Sequence, residues 1–308
     1  MCTALSLTAN DHYFGRTLDL ACSLGESVII VPRRFPLPFR FGKTIAEHPA
    51  IIGVGVIRDG YPLYYDAVNE YGLAAAGLNF PGCAEYHAFC TAHSIASFEL
   101  IPRVLGCCRS AQEAKALLET ACISNTAFSD ALPPSPLHWM VSDKASSLVI
   151  EPLNDGLHIH DNPAGVMTNS PSFDEQLAIL RDYAGIQPDD PKEAISLPGG
   201  WSSCARFVRA AYLRRHSISG ETEAARVSQF FHILDAVSVV RGSVLTDQGQ
   251  EITQYASCCN TRTGVYSYTT YENRAVTTVD LHAENLNSAR LIQYPFITQL
   301  CIHPQNAR

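Results

Sequence analysis

Cys2 directly follows Met1. An initiator Met is generally removed when the next residue is small, and Cys is small. The mature chain is therefore expected to begin with one residue that carries both a thiol and a free α-amine. Such an amine titrates near about 7.7–8.0, so a useful fraction is neutral at pH 7. It can take the proton of its own thiol, which is how an N-terminal nucleophile is activated. Position alone also fits a plainer reading, in which Cys is simply an acceptable second residue. If Met1 stays, the amine becomes an amide and the base is lost.

Arg16 and Asp19 lie in GRTLDL, just after a candidate turn at Asn10-Asp11. A hairpin between residues 3–8 and 13–18 would return this segment to the side of Cys2. A nearby guanidinium favours thiolate, and an aspartate can orient the amine. The same spacing equally fits an ordinary Arg–Asp surface pair, which carries little energy. Asn79 and Asn169 each stand where an apolar run gives way to a turn. Asn is common there for turn chemistry alone. A neutral amide is also a suitable donor to a developing oxyanion, and one such donor contributes about 2.7–4 kcal/mol.

Other chemistry-bearing residues read as bland. Cys83, His87, Cys90 and His93 match no zinc spacing. His138 and His232, in apolar surroundings, are expected in the core or at an interface. The tyrosines of 265–271 read as strand packing. There is no G-x-S-x-G, P-loop, dinucleotide fingerprint or H-E-x-x-H.

The elements that must hold these residues alternate in blocks. Strands are expected at Thr3–Thr8 and around Tyr13-Phe14, then at Ser27–Pro32, Ile51–Ile57, Leu63–Ala67 and Leu73–Leu78. Helices follow at Phe98–Cys108 and Ala111–Cys122, the second opened by Ser110 with Glu113 in capping-box spacing. Strands resume at His138–Val141, Ser147–Glu151 and Leu157–His160. Helices are expected at Phe173–Tyr183, Arg206–Arg215 and Glu223–Val237. Ile252–Ala256, Val265–Tyr271 and Ala275–Asp280 return to strand. The order suggests layered α+β with hairpins rather than repeated βαβ units. Gly185–Gly200, with three prolines and three glycines, is the most loop-like stretch. No composition break divides the 308 residues, so one domain over 1–308 is expected.

Composition narrows the partners. Thirty acidic against 22 basic residues give a net charge of −8, with no Lys/Arg run longer than two. That argues against nucleic acid, whose phosphates need a basic footprint. No stretch of eighteen apolar residues is present, so no membrane span is expected. The eleven cysteines, an odd count, and an N-terminus without a secretory pattern fit reduced thiols in a cytoplasm better than a disulfide framework.

Taken together, the segments share one order. They are Cys2 after Met1, GRTLDL, AGLNFPG (Ala76–Gly82), SPLHWMVSD (Ser135–Asp143), VMTNSPSFD (Val166–Asp174) and SSCARFVRAAY (Ser202–Tyr212). The chain resembles the choloylglycine hydrolase family of N-terminal nucleophile hydrolases, which includes bile salt hydrolases and penicillin V acylases. The resemblance covers nearly the whole chain. It implies a four-layer αββα fold with two stacked antiparallel sheets. It implies Cys2 as nucleophile, Arg16 and Asp19 beside the thiol and amine, Asn79 and Asn169 at the oxyanion, and Arg206 as the remaining active-site arginine. Asn79, where many penicillin V acylases carry Tyr, tilts the expectation toward the amide of glycine- or taurine-conjugated bile acids. The route is thiolate attack and a thioester that water resolves, with no metal or cofactor. Leu20, Leu24, Ile57, Tyr61, Phe128 and Leu132 are expected to wall an apolar substrate pocket. Penicillin V or another N-acyl amide, such as an acyl homoserine lactone, is the alternative substrate. Acyl transfer to an amine would use the same thioester. A non-catalytic binding relative would require a dead nucleophile. The family's tetramer depends on a loop that is compressed here over 185–203, where Gly200-Trp201 replaces an acidic end, so a homo-oligomer is expected but its geometry is open.

Overall fold

A computed structural model describes residues 1–88, 93–183, 196–300 and 302–306. Most of the 185–203 loop, and Cys90 of the Cys/His group, lie outside them.

The first twenty residues make the hairpin that the alternation predicts. β1 (Cys2–Ala9) turns at Asn10, whose φ of 68° is one that Asn tolerates well, into β2 (Asp11–Leu20). β2 also pairs with the long β14 (Gly249–Asn260), and β1 with the short β12 (Val166–Met167). β15 (Val265–Thr270) and β16 (Thr277–Asp280) extend that sheet, and β13 (Val244–Thr246) pairs with β14 at its edge. The second sheet has eight strands in the order β11-β10-β9-β6-β5-β4-β3-β17. Its members are β3 (Ser27–Val31), β4 (Ile51–Arg58), β5 (Tyr61–Asn69), β6 (Ala74–Asn79), β9 (Leu137–Ser142), β10 (Ser147–Leu153), β11 (Gly156–Asp161) and β17 (Ile292–Pro295). All pairings in these two sheets are antiparallel; β7 (Ser94–Ala96) and β8 (Cys122–Ser124) make a separate parallel pair.

The period of two sorts the second sheet's side chains into two cores. Val28, Ile30, Ile52, Val54, Ala74, Ala76, Leu78, Met140 and Val149 face the first sheet. Their neighbours Ile29, Val31, Ile51, Ala75, Trp139, Val141 and Ile150 face outward. There they pack under α1 (Leu100–Cys107) and α2 (Ala111–Leu118). The first sheet's other face is covered by α3 (Phe173–Arg181), α4 (Ser203–His216) and α5 (Glu223–Asp235), through Phe173, Phe207, Ala210, Phe230, Ile233 and Leu234. The layers are thus αββα, as expected. Strands this apolar on both faces are what two coverings require.

The structure corrects several expectations. The 111–122 helix stops at Leu118, because Cys122–Ser124 is drawn into the parallel pair with Ser94–Ala96. The Ser110 box is half formed: Ser110 Oγ accepts from Glu113 N–H at 3.2 Å, but the Glu113 carboxylate accepts from Arg109 instead. A carboxylate that closes on its own cap is found at α3, where Ser172 N–H and hydroxyl both donate to Glu175. His138 is buried as expected, whereas His232 is exposed on α5, which excludes the core as its place but not an interface. Among the described residues eight cysteines are free thiols and Cys122 is disulfide-bonded, where reduced thiols rather than a disulfide framework were expected. Sequence spacing does not show which segments lie beside one another around such a strand.

Candidate active site

Register places the candidate residues on opposite faces of one hairpin. Cys2 pairs with Leu18 and Ala4 with Arg16, so the thiol and the Arg16 side chain share one face. Thr3, Thr17 and Asp19 fall on the other. Gly15, next to Arg16, is required by the neighbouring strand: a Cβ there would lie 1.9 Å from the Ser257 carbonyl oxygen.

Arg16 is completely buried between the sheets. Its Nη1 donates to the carbonyls of Gly77 (2.6 Å) and Tyr65 (3.2 Å) in the facing sheet, and Nε donates to Thr17 O. Its Nη2 is buried without a hydrogen-bond partner. Burial works against its charge, but Cys2, Tyr255, Asp66 and Asp19 outweigh it and hold the guanidinium above its ordinary pKa. Arg206 reaches the hairpin from the helical side. It is also fully buried, on α4, whose start is capped by Ser202. Nη1 donates to Cys2 O and to Thr3 Oγ1 (2.8 Å), Nη2 to Asn169 Oδ1 (2.8 Å), and Nε to Trp201 O (3.1 Å). Burial lowers its pKa, opposed by Asp19, Cys2 and Glu251.

Two buried carboxylates balance these two cations. Asp19 accepts from the hydroxyls of Thr253 (2.6 Å) and Thr17 (3.3 Å). Burial raises its pKa against the pull of Arg206, Thr253, the terminal ammonium and Arg16. Asp66 accepts from Tyr255 (2.6 Å), Tyr266 (2.5 Å) and Ser257 (3.1 Å); burial raises it too, opposed first by Arg16. Without such pairing an interior charge would cost several kcal/mol.

Asn169 ties the cluster to the second sheet. Its Oδ1 accepts from Cys2 N–H (2.8 Å) and from Arg206, so the oxygen must face these two donors. Nδ2 then donates to Asn79 O at 2.7 Å, which leaves one amide hydrogen for another acceptor. Ser203 and Gln176 hold the Asn169 backbone. The Asn79 side chain is exposed at the end of β6. Met1 extends the hairpin by one step. Asp19 N–H donates to Met1 O, and the Met1 ammonium donates to Asp19 O (2.9 Å) and pairs with Glu251 (2.5 Å).

Cys2, Arg16, Asp19, Asn79, Asn169 and Arg206 are therefore brought together. The contacts of the wall candidates Leu24, Ile57, Tyr61, Phe128 and Leu132 run in a series along the ends of β4 and β5 and the loops beside them. Tyr61 and Phe128 meet with Phe98 in an aromatic group, their centroids 5.2–6.1 Å apart. Leu132 closes a tight turn on Phe128, 3.1 Å from Phe128 N to Leu132 O. Leu24 O accepts from Arg58 at the end of β4, beside Ile57. Leu20 packs on the inner core, whereas Ile57 packs on the outer one. Sequence reasoning missed Asp66, Glu251 and Thr253; the only signal was a lone carboxylate within the apolar strand run YYDAV. A cavity of about 700 Å³ between Leu7, Leu177, Val208 and Arg214 lies at the far end of β1 from Cys2 and includes none of the candidates. Among the described residues no group of three or more His, Cys, Asp or Glu could hold a metal, and no helix is long and apolar enough to cross a membrane.

A model of the choloylglycine hydrolase family of linear amide C–N hydrolases matches residues 2–294. A bile salt hydrolase/transferase from Lactiplantibacillus plantarum is 44% identical over 313 residues, spanning 96% of this chain and 97% of that protein. A crystal structure of a conjugated bile acid hydrolase mutant from Clostridium perfringens superposes with a TM-score of 0.92 at 34% identity, covering 99% and 100% of the two chains. A penicillin V acylase from Agrobacterium tumefaciens shares the fold, with a TM-score of 0.78, 22% identity and coverage of 95% and 90%.

Proposed function

The chain belongs to the choloylglycine hydrolase family of linear amide C–N hydrolases, and from that premise we propose that it hydrolyses the amide joining a bile acid to glycine or taurine, with Cys2 as nucleophile. The observation that carries the chemistry is Cys2 itself. It is buried between two guanidiniums, with its nitrogen on Asn169 Oδ1. Similarity to bile salt hydrolases supports the substrate.

The proposed sequence begins with loss of Met1, which turns the Cys2 nitrogen into an α-amine. That amine takes the thiol proton, and the Cys2 sulfur attacks the amide carbonyl. The charge that develops on the carbonyl oxygen is met by the free Asn169 amide hydrogen and by Asn79. The amine passes its proton to the departing nitrogen of glycine or taurine, and a thioester remains. Water attacks the thioester, the amine takes a proton from that water, and the bile acid leaves with the thiol restored. Asp19, between Thr253 and Arg206, balances the buried charge while the amine changes protonation. No step calls for a metal. Acyl transfer is a second reading: the Lactiplantibacillus plantarum relative is a hydrolase/transferase by name, and an amine that outcompetes water would take the same thioester.

The family resemblance also supports a homo-oligomer, which light scattering would size. Eight free thiols among the described residues favour a reducing cytoplasm, and the Cys122 disulfide weighs against it.

The deciding experiment incubates the protein with glycocholate, taurocholate and penicillin V at equal concentration beside Cys2→Ala. Cysteine-dependent release of glycine or taurine, faster than release of phenoxyacetate, is expected. Faster penicillin V cleavage would reassign the substrate. Silence on all three, with Met1 shown absent by intact mass, would overturn the reading.

A further inference from the structure

A buried histidine lies behind both asparagines, and the chemistry proposed above does not use it. His138, on β9, has no exposed surface. Its Nε2 lies 2.8 Å from Thr168 O. A carbonyl oxygen can only accept, so Nε2 carries the hydrogen. Its ring lies flat on Phe80, with centroids 4.2 Å apart and planes 6° apart. Its Nδ1 is 3.2 Å from Glu151 Oε1. Glu151 is equally buried and accepts from Phe173 N–H at 3.0 Å, at the start of α3. Thr168 precedes Asn169, and Phe80 follows Asn79. One imidazole thus touches the residue adjoining each asparagine.

Stability alone gives little reason for this pair, since burying polar groups carries a desolvation cost that apolar residues of similar volume would not incur. The oxyanion site gives one. Asn169 Nδ2 and Asn79 O are joined by a single 2.7 Å bond, and donor placement toward an oxyanion is effective only within a few tenths of an ångström.

We propose that His138 is a positioning residue for amide cleavage. Oriented by Glu151, it fixes Thr168-Asn169 and Asn79-Phe80 relative to each other through its Nε2–H and its stacked face, so that its loss slows acylation of Cys2 and leaves substrate binding alone. This deepens the proposed function and rests on it.

The test compares the full-length parent with His138→Phe, which keeps a ring on Phe80 but cannot donate to Thr168 O, and His138→Gln, whose amide can donate. Glycocholate turnover and Cys2 alkylation by iodoacetamide are both measured. For His138→Phe, kcat is expected to fall about 30-fold, as for a small misplacement of catalytic groups, while KM and the alkylation rate stay within about twofold. His138→Gln should recover most of kcat. Parental kcat in His138→Phe would overturn the proposal. So would alkylation that falls in step with kcat, because the whole site would then have collapsed, or a His138→Gln no faster than His138→Phe. If His138→Phe does not fold, Phe80→Leu removes the stacked partner instead: a several-fold loss of kcat with unchanged alkylation supports the proposal, and undiminished kcat overturns it. A parent that cleaves no bile salt counts against the proposed function; an active parent whose variants are unaffected counts against the role of His138 alone.

Discussion

Arg206 makes four hydrogen bonds from three nitrogens, to Trp201 O, Cys2 O, Thr3 Oγ1 and Asn169 Oδ1. A lysine ammonium has the charge but neither the fork nor the reach. Arg206→Lys is therefore expected to lower kcat/KM by about 100-fold and to reduce the melting temperature, as initial rates and a thermal melt would show. A kcat/KM within threefold of the parent would mean that the charge alone suffices. Cys2 was visible in the sequence because its position implies its chemistry. Arg16 and Asp19 were visible only as an even choice between site and surface pair. Complete burial decides for the interior, and no local pattern announces burial of an Arg. Arg206 was reached through family resemblance alone, because helix periodicity would place an apolar residue at its position on the covered face of α4. Asp66 went unnoticed, since its donors Tyr255, Ser257 and Tyr266 arrive from strands nearly two hundred residues later.

The β1–β2 hairpin carries three of the six candidate catalytic residues, Cys2, Arg16 and Asp19, and its stability is expected to depend on pH through His12. That ring is buried among the hydroxyls of Ser6, Ser142 and Thr261. Burial pushes its pKa down to about 4 from 6.5. A depressed histidine contributes stability that is complete above its unfolded value and is lost as pH falls through the folded one. Between pH 6.5 and 4 the fold should lose about 3 kcal/mol from this group. Thermal melts against pH should show that loss in the parent and a flatter profile in His12→Asn. Equal slopes would assign the acid sensitivity elsewhere. Gly15 tests the same element sterically. Gly15→Ala would drive a methyl into Ser257 O and force β2 away from β14, with an expected loss of about 3 kcal/mol or more measured by urea unfolding. An unchanged midpoint would show that the strands can part there. Alternation revealed this hairpin and most of the other strands. The two-residue β12 and the short β7, β8, β13 and β17 escaped notice because segments of two to four residues hold too little periodicity. They exist through pairing with distant strands.

At the scale of the whole molecule, αββα layering was compatible with the expected order of elements but not derivable from it, because hairpin order does not say which sheets stack. The doubly apolar strands Val28–Val31 and Ala74–Leu78 were the best local hint of coverings on both faces. The stacked sheets and the α4 layer converge on Cys2, whose amine the proposed chemistry requires to be free. One extra residue ahead of Cys2 should thus abolish activity without harming the fold. With Ala inserted between Met1 and Cys2, turnover is expected to fall by about 100-fold or more, while the melting temperature stays near the parent's. Persistent activity would show that the amine is dispensable. Met1 itself, with its ammonium on Glu251 and Asp19 O and its carbonyl on Asp19 N–H, is stitched into the same ladder. On the chemistry proposed above, a chain that folded with Met1 in place would be expected to lose it more slowly than an unfolded one, because folding ties its ammonium to Glu251 and Asp19 O.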